Sequence, residues 1–195
     1  MKKLAILLLI SLLGACTSIV KVEGDQVVNG RMAVRLTEAW NKVSLPGAAQ
    51  PFETWTQEGL PLDHLRFWAA IPTGKSLMTA PRVNSTDQKA PRVPTYVAGM
   101  QPDQLVNLFE ILYSNDGSIV TLSKVEPATF VGEKGVHFAF SMTRKSDGVE
   151  MKGLGWLAVH KGELFAASFV APKKSFFPRL APKAESVAKS AKVQG

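Results

Sequence analysis

Residues 136–171, VHFAFSMTRKSDGVEMKGLGWLAVHKGELFAASFVA, decide the fold. Val136, Phe138, Phe140 and Met142 alternate with small or polar residues, the period of two that a strand imposes on side chains sharing a face. Turn residues at Ser146-Asp147-Gly148 and Lys161-Gly162 then make residues 150–160 and 163–171 two further strands of an antiparallel meander. A first turn centred between Asp147 and Gly148 predicts Phe138 opposite Leu157 and Phe140 opposite Gly155. A second, centred on Lys161 and Gly162, predicts Leu157 opposite Ala166 and Val159 opposite Leu164. The other face gathers Leu154, Trp156, Phe165 and Phe169, so both faces want cover, unless one of them binds an apolar ligand or partner. Gly153 and Gly155 leave room for a helix or an aromatic ring to approach closely.

Working outward, Met32, Val34 and Leu36 alternate with Ala33, Arg35 and Thr37, and Leu65, Phe67, Ala69 and Ile71 alternate across 64–71; both segments read as strands. A helix is expected from about Pro102 to Tyr113, where Leu105, Leu108, Phe109 and Leu112 line one side, Pro102 suits the first position and Asn115-Asp116-Gly117 ends it. A weaker one is expected from about Pro182 to Lys192, with Ala184, Val187, Ala188 and Ala191 together. The fold class is therefore α+β: an antiparallel β-meander sheet packed against helices on one or both faces, in a single domain over 26–195.

The N-terminus carries an address. Lys2 and Lys3 precede an apolar run from Leu4 to Leu13, closed by Leu13-Gly14-Ala15-Cys16. That run falls well short of the roughly 18–20 apolar residues that span a bilayer. The segment resembles the bacterial lipoprotein signal. The resemblance implies cleavage after residue 15, a diacylglyceryl group on the Cys16 sulfur, an acyl chain such as palmitate on its new amino group, and no transmembrane span. Two or more chains hold a protein on a membrane essentially permanently, where one binds marginally. In the enterobacterial sorting pattern Asp after the cysteine retains a lipoprotein on the inner membrane; Thr17 implies the outer membrane, periplasmic face. Residues 16–25 then read as a short polar tether. Cys16 is the only cysteine, so the exported chain has no internal disulfide, no cysteine-ligated zinc and no cysteine nucleophile.

Removing Lys2 and Lys3 from 23 basic residues leaves 21 against 16 acidic. The excess suits either ordinary solubility or contact with anionic lipid, lipopolysaccharide or another acidic envelope polymer, and an exported domain has little access to nucleic acid. The basic residues concentrate in two places. The segment from Pro72 to Pro94 is a long basic loop in which Lys75, Arg82 and Arg92 are the candidate surface or partner contacts. The C-terminal stretch carries Lys173, Lys174, Arg179, Lys183, Lys189 and Lys192; there Phe176 and Phe177 are either membrane wedges or core.

No catalytic or metal-binding motif stands out. Gly74-Lys75-Ser76 matches the end of a phosphate-binding loop, but Ala69 stands where that loop needs glycine. The register above makes His137 and His160 diagonal neighbours, two imidazoles that could hold a metal if a third ligand joined them. Asp63 and His64 would point to opposite faces of a strand, so they form no dyad. Convergence of Asp63, His64 and Arg66 in a concave pocket would favour the alternative reading, a periplasmic envelope hydrolase with its site near the 72–94 loop; a groove would favour a partner. The expectation is a binding or envelope-assembly protein with no cofactor.

An antiparallel sheet between helices in an exported chain is similar in outline to the PsbP-like fold. The segments Trp55–Gly74 and Gly153–Pro172, the latter with Lys161-Gly162-Glu163-Leu164 and Ala171-Pro172, also resemble uncharacterised proteobacterial lipoproteins. These resemblances imply a binding or assembly role and carry over no functional residue.

Overall fold

In the computed structural model, residues 17–45, 47, 49–80 and 92–195 are described. Two meanders meet at the centre of one sheet. The first is β1 (Ser18–Val28), β2 (Met32–Ser44), β3 (Glu53–Thr56) and β4 (His64–Ile71); the second is β5 (Ile119–Phe130), β6 (Glu133–Thr143), β7 (Glu150–His160) and β8 (Glu163–Pro172). Antiparallel pairing of β4 with β8 joins them in the order β1-β2-β3-β4-β8-β7-β6-β5, and a short β9 (Lys192–Val193) adds to β2. Helix α1 (Pro102–Ser114) links the meanders, and α2 (Phe177–Ser190) follows the second. The α+β class read from the sequence is the class found.

Successive residues of β7 and β8 belong to two different cores, as alternating side chains must. Trp156, Ala158, Phe165, Ala167 and Phe169 join Leu180, Ala184 and Val187 of α2, with Trp40 and Trp55 of the first meander. Leu157, Leu164, Ala166 and Val170 join Leu105, Phe109, Leu112 and Tyr113 of α1, with Phe138 and Phe140. The helices are placed unevenly. Helix α2 packs on β2, β7 and β8, whereas α1 lies over β5 and β6, so the α1 side of β2 and β3 has no helix above it. That vacancy positions the site described below.

The second meander has the expected β7–β8 register: Leu157 pairs with Ala166 and Val159 with Leu164. The β6–β7 register is shifted by two residues, pairing Phe138 with Gly155 and Phe140 with Gly153. The cause is the turn. Gly148, at φ 71°, closes a loop that runs from Thr143 to Glu150 instead of centring a tight one. Within it Arg144 grips both carboxylate oxygens of Asp147, Nε to Oδ1 at 2.9 Å and Nη2 to Oδ2 at 2.6 Å. A two-residue slip keeps every side chain on its face. It also seats the Phe138 and Phe140 rings directly over the two glycines, where an added Cβ would stand 2.1 Å from a ring carbon.

The polar stretch read as a tether is a correction. Apart from Thr17, its described residues belong to β1, which pairs with β2 from Ser18–Ser44 to Val28–Met32. As an edge strand β1 is exposed on both sides for most of its length, so it lacks the apolar alternation that betrays a half-buried strand. Helix α2 likewise starts earlier than expected, because Pro178 suits a first helical turn and Leu180 is already buried. Phe176 and Phe177 pack against the core beside it, with Phe177 6.0 Å from Phe169 between ring centres.

Candidate functional site

Three neighbouring strands bring Val43, Thr54 and Arg66 into register, since Val43 pairs with Thr54 and Thr54 with Arg66. On the α1 side of this row lies an open cavity of about 710 Å³, within the roughly 300–1,000 Å³ usual for small-molecule sites. Its floor includes Val43, Thr54, His64 and Arg66, and Leu112 at the C-terminal part of α1 closes one end. The roof is the β2–β3 connection, tied across to Thr79: Thr79 Oγ1 donates to the Ala49 carbonyl at 2.7 Å, and Thr79 N–H donates to Gln50 Oε1 at 3.1 Å.

The polar groups in this wall are unusual. The Arg66 guanidinium lies 4.7 Å from the centre of the Phe52 ring and 5.9 Å from that of Tyr113. The other cation in the lining, Lys42, pairs with Glu53 at 2.8 Å, whereas among the described residues no carboxylate pairs with Arg66, and its Nε is enclosed without a hydrogen-bond partner. His64, two residues earlier on the same face, stacks on Tyr113 at 6.0 Å and its Nε2 is likewise enclosed and unpartnered. Burial first, and then the positive charges of Arg66 and Arg144, hold the His64 imidazole well below its ordinary pKa, so it is neutral at pH 7. Tyr113 is fixed by a 2.6 Å hydrogen bond between its hydroxyl and that of Ser168. Phe52 is fixed against Trp68, ring centres 5.2 Å apart. An unpaired cation in an apolar wall is costly, and an anion placed beside it would remove much of that cost.

Of the three residues whose convergence would favour hydrolysis, the cavity gathers His64 and Arg66 but not Asp63. The Asp63 carboxylate is fully buried in the turn before β4 and accepts from Thr56 Oγ1 (2.7 Å), Gln57 N–H (2.8 Å) and Glu58 N–H (2.7 Å). Burial pushes its pKa up against these three donors. It pins a turn and does not orient the imidazole.

The other sequence candidates lie elsewhere. Cys16 and Arg82 fall outside the described residues. Lys75 is exposed beside the isolated Ser76–Thr95 bridge, and Arg92 is exposed on α1's flank, where Asn115 Nδ2 donates to its carbonyl at 2.6 Å. Neither lines the large cavity, which the 72–94 segment reaches through Met78 and Thr79. The Gly74-Lys75 amides are already used, donating to the carbonyls of Tyr96 (2.8 Å) and Pro72 (3.1 Å), so they form no phosphate cradle.

The histidine pair is also separated. His137 lies opposite Trp156, four residues or about 13 Å along β7 from His160. Each meets its own glutamate, His137 with Glu126 at 3.3 Å and His160 with Glu133 at 2.7 Å. In the C-terminal stretch, four of the six basic residues, Lys173, Arg179, Lys183 and Lys189, pair with Glu150, Glu58, Glu38 and Glu185, so much of its charge is spent on ion pairs within the chain. Among the described residues no helix is long and apolar enough to cross a membrane.

No protein-family model matches the sequence, and no curated protein matches it. Solved structures do. The chain is similar to the solution structure of the cyanobacterial PsbP protein CyanoP from Synechocystis sp. PCC 6803, with a TM-score of 0.53 and 16% identity over 93% of this chain and 98% of that one. It is also similar to a crystal structure from Bacteroides thetaiotaomicron VPI-5482, with a TM-score of 0.51 and 11% identity over 89% of this chain and 49% of that one. LpqN of Mycobacterium tuberculosis, described as involved in cell envelope biogenesis, aligns with a TM-score of 0.45 and 13% identity over 92% of each chain. At these identities the likeness is one of fold, and the chain has the PsbP-like α+β arrangement.

Proposed function

We propose that this chain is a lipid-anchored envelope protein with a binding or assembly role and no catalytic step, held by Cys16 on the periplasmic face of the outer membrane. The observation that carries this reading is where the folded domain begins. Strand β1 starts at Ser18, so lipid on Cys16 would leave almost no slack and would hold this end of the sheet at the bilayer surface. Ile19, Val20 and Leu45, 64%, 54% and 61% exposed, cluster there through the pairing of Ser18 with Ser44. Exposed apolar side chains at that end suit the lipid interface better than open water. The cavity, with Arg66 unpaired, His64 neutral and its one lining carboxylate, Glu53, engaged by Lys42 at 2.8 Å, suits ligand binding better than hydrolysis.

Mass analysis of the Cys16 peptide from native cells tests the anchor: a diacylglyceryl-plus-acyl mass is expected, and an unmodified cysteine overturns the reading. Thr17→Asp tests the sorting. Fractionation in an enterobacterial host is expected to move the protein from outer to inner membrane, and an unchanged distribution rejects the outer-membrane placement.

A further inference from the structure

We propose that the cavity takes an amphipathic anion, an acidic headgroup on an acyl chain, with the headgroup at Arg66 and His64 and the chain along Phe52, Leu60, Met78 and Leu112. This deepens the binding role above, and depends on the anchor only for how the ligand is delivered.

Three features of the cavity select that chemistry. Of its two cations Lys42 is neutralised by Glu53, whereas Arg66 stands without a carboxylate among the described residues, held between Phe52 and Tyr113. Such a guanidinium keeps its fork of N–H donors for a carboxylate or phosphate, which it can grip through two parallel bonds. Next to it the His64 imidazole lines the same wall as a neutral ring, so it leaves the Arg66 charge unopposed and adds no negative charge to repel an anion. Away from these two residues, Val43, Leu45, Leu60, Met78 and Leu112 supply a hydrocarbon and thioether stretch of the lining, while the other polar side chains include Thr54, Gln50, Thr79 and the Lys42–Glu53 ion pair, closed on itself at 2.8 Å. A small hydrophilic anion would leave that part of the wall unfilled, whereas an acyl chain removes it from water.

The location supplies the source. Residues 42–45 of the rim are the end of β2 that pairs with the start of β1, where Val20 faces Lys42, Ile19 faces Val43 and Ser18 faces Ser44. Only Thr17 separates Cys16 in sequence from Ser18, the residue paired with Ser44 of this rim. This part of the lining lies beside the exposed Ile19, Val20 and Leu45, at the end of the sheet that lipid on Cys16 would hold at the bilayer. A lipid could pass from the bilayer to the cavity without crossing open water.

Quenching of tryptophan fluorescence by brominated chains provides the test, because Trp68 packs on Phe52 in the cavity wall. The full chain carrying Cys16→Ser is titrated with 9,10-dibromostearate and, separately, with dibromostearyl alcohol. The wild-type chain is reconstituted in phosphatidylcholine vesicles with and without dibrominated phosphatidylglycerol. Saturable quenching by the acid is expected, weakened about tenfold or more in Arg66→Gln, the loss of one charge-assisted contact. Ala49→Phe, an exposed change in the roof that leaves the core intact, is expected to weaken it too. Quenching in vesicles as well identifies bilayer phospholipid as a source; quenching by dibromostearate alone identifies free fatty acid. Equal quenching by the alcohol, or none by dibromostearate and none by dibrominated phosphatidylglycerol, overturns the proposal. A positive acid titration alongside an unmodified Cys16 in native cells would overturn the anchor and leave the ligand class standing.

Discussion

Asp63 shows how one residue can fix the approach to a site without entering it. Its three donors come from three consecutive positions, Thr56, Gln57 and Glu58, so the carboxylate sets the turn that delivers β4. Asp63→Ala removes three bonds to a buried charge and is expected to cost about 3 kcal/mol or more of folding stability, read as a drop in the urea midpoint. A loss below about 1 kcal/mol would show that water replaces the carboxylate. Gly155 is as constrained for a different reason. A Cβ there meets the Phe138 ring at 2.1 Å, so Gly155→Ala should cost about 1–3 kcal/mol, the usual range for overpacking, while Gly148→Ala should weaken only its left-handed turn. Denaturation curves of both variants compare the two.

His64 makes a pH signature. The unfolded chain protonates it near its ordinary value of 6.5, while burial and the neighbouring arginines keep it neutral when folded. Its contribution is therefore complete above that pH and is lost as the pH falls below it. His137, also held low by burial, acts in the same direction. Stability is expected to fall between pH 7 and pH 5, and His64→Leu should flatten most of that fall. An undiminished slope in the variant would assign the effect to other groups.

The elements legible in the sequence were those with one strong period: β4, the β6–β8 meander and α1 nearly whole, and the first half of β2 and the later turns of α2 in part. Strands β1 and β5 escaped notice because each is an edge, exposed along most of its length and interrupted by a bulge, at Val22/Gly24 and Leu122/Lys124. The β5–β6 turn also hid itself. Val131, a β-branched residue at φ 49°, stands beside Gly132 where Asn or Asp would announce the turn, and its side chain is held in the core. Charged residues, Lys21, Glu23 and Asp25 on β1 and Lys124 and Glu126 on β5, guard the two edges against pairing with other chains. Replacing Lys124 and Glu126 together by Val should leave the fold intact and promote aggregation, measured by light scattering on mild heating; unchanged scattering would mean that the bulge alone protects the edge.

Across the whole molecule, the site was less readable than the sheet. His64 and Arg66 could be named because they sit on one strand, but the cavity exists only because β2, β3 and β4 align Val43, Thr54 and Arg66 while α1 covers the other half of that side. No local pattern encodes such a vacancy. The basic residues of the 72–94 segment drew attention by composition, yet its described base is tied into the core: Leu77 within it and Tyr96 just after it are fully buried, and Trp68 Nε1 donates to the Leu77 carbonyl at 2.8 Å.

Strand β2 also serves as a ruler. Ser44 at one end meets Ser18 and borders the cavity, while Met32 at the other meets Val193 of β9. Twelve strand steps keep those two ends about 35–40 Å apart. A dye or affinity handle joined after Gly195 would therefore ride on the far pole of the sheet, leaving the mouth unobstructed and giving distance measurements to a labelled bilayer a built-in scale.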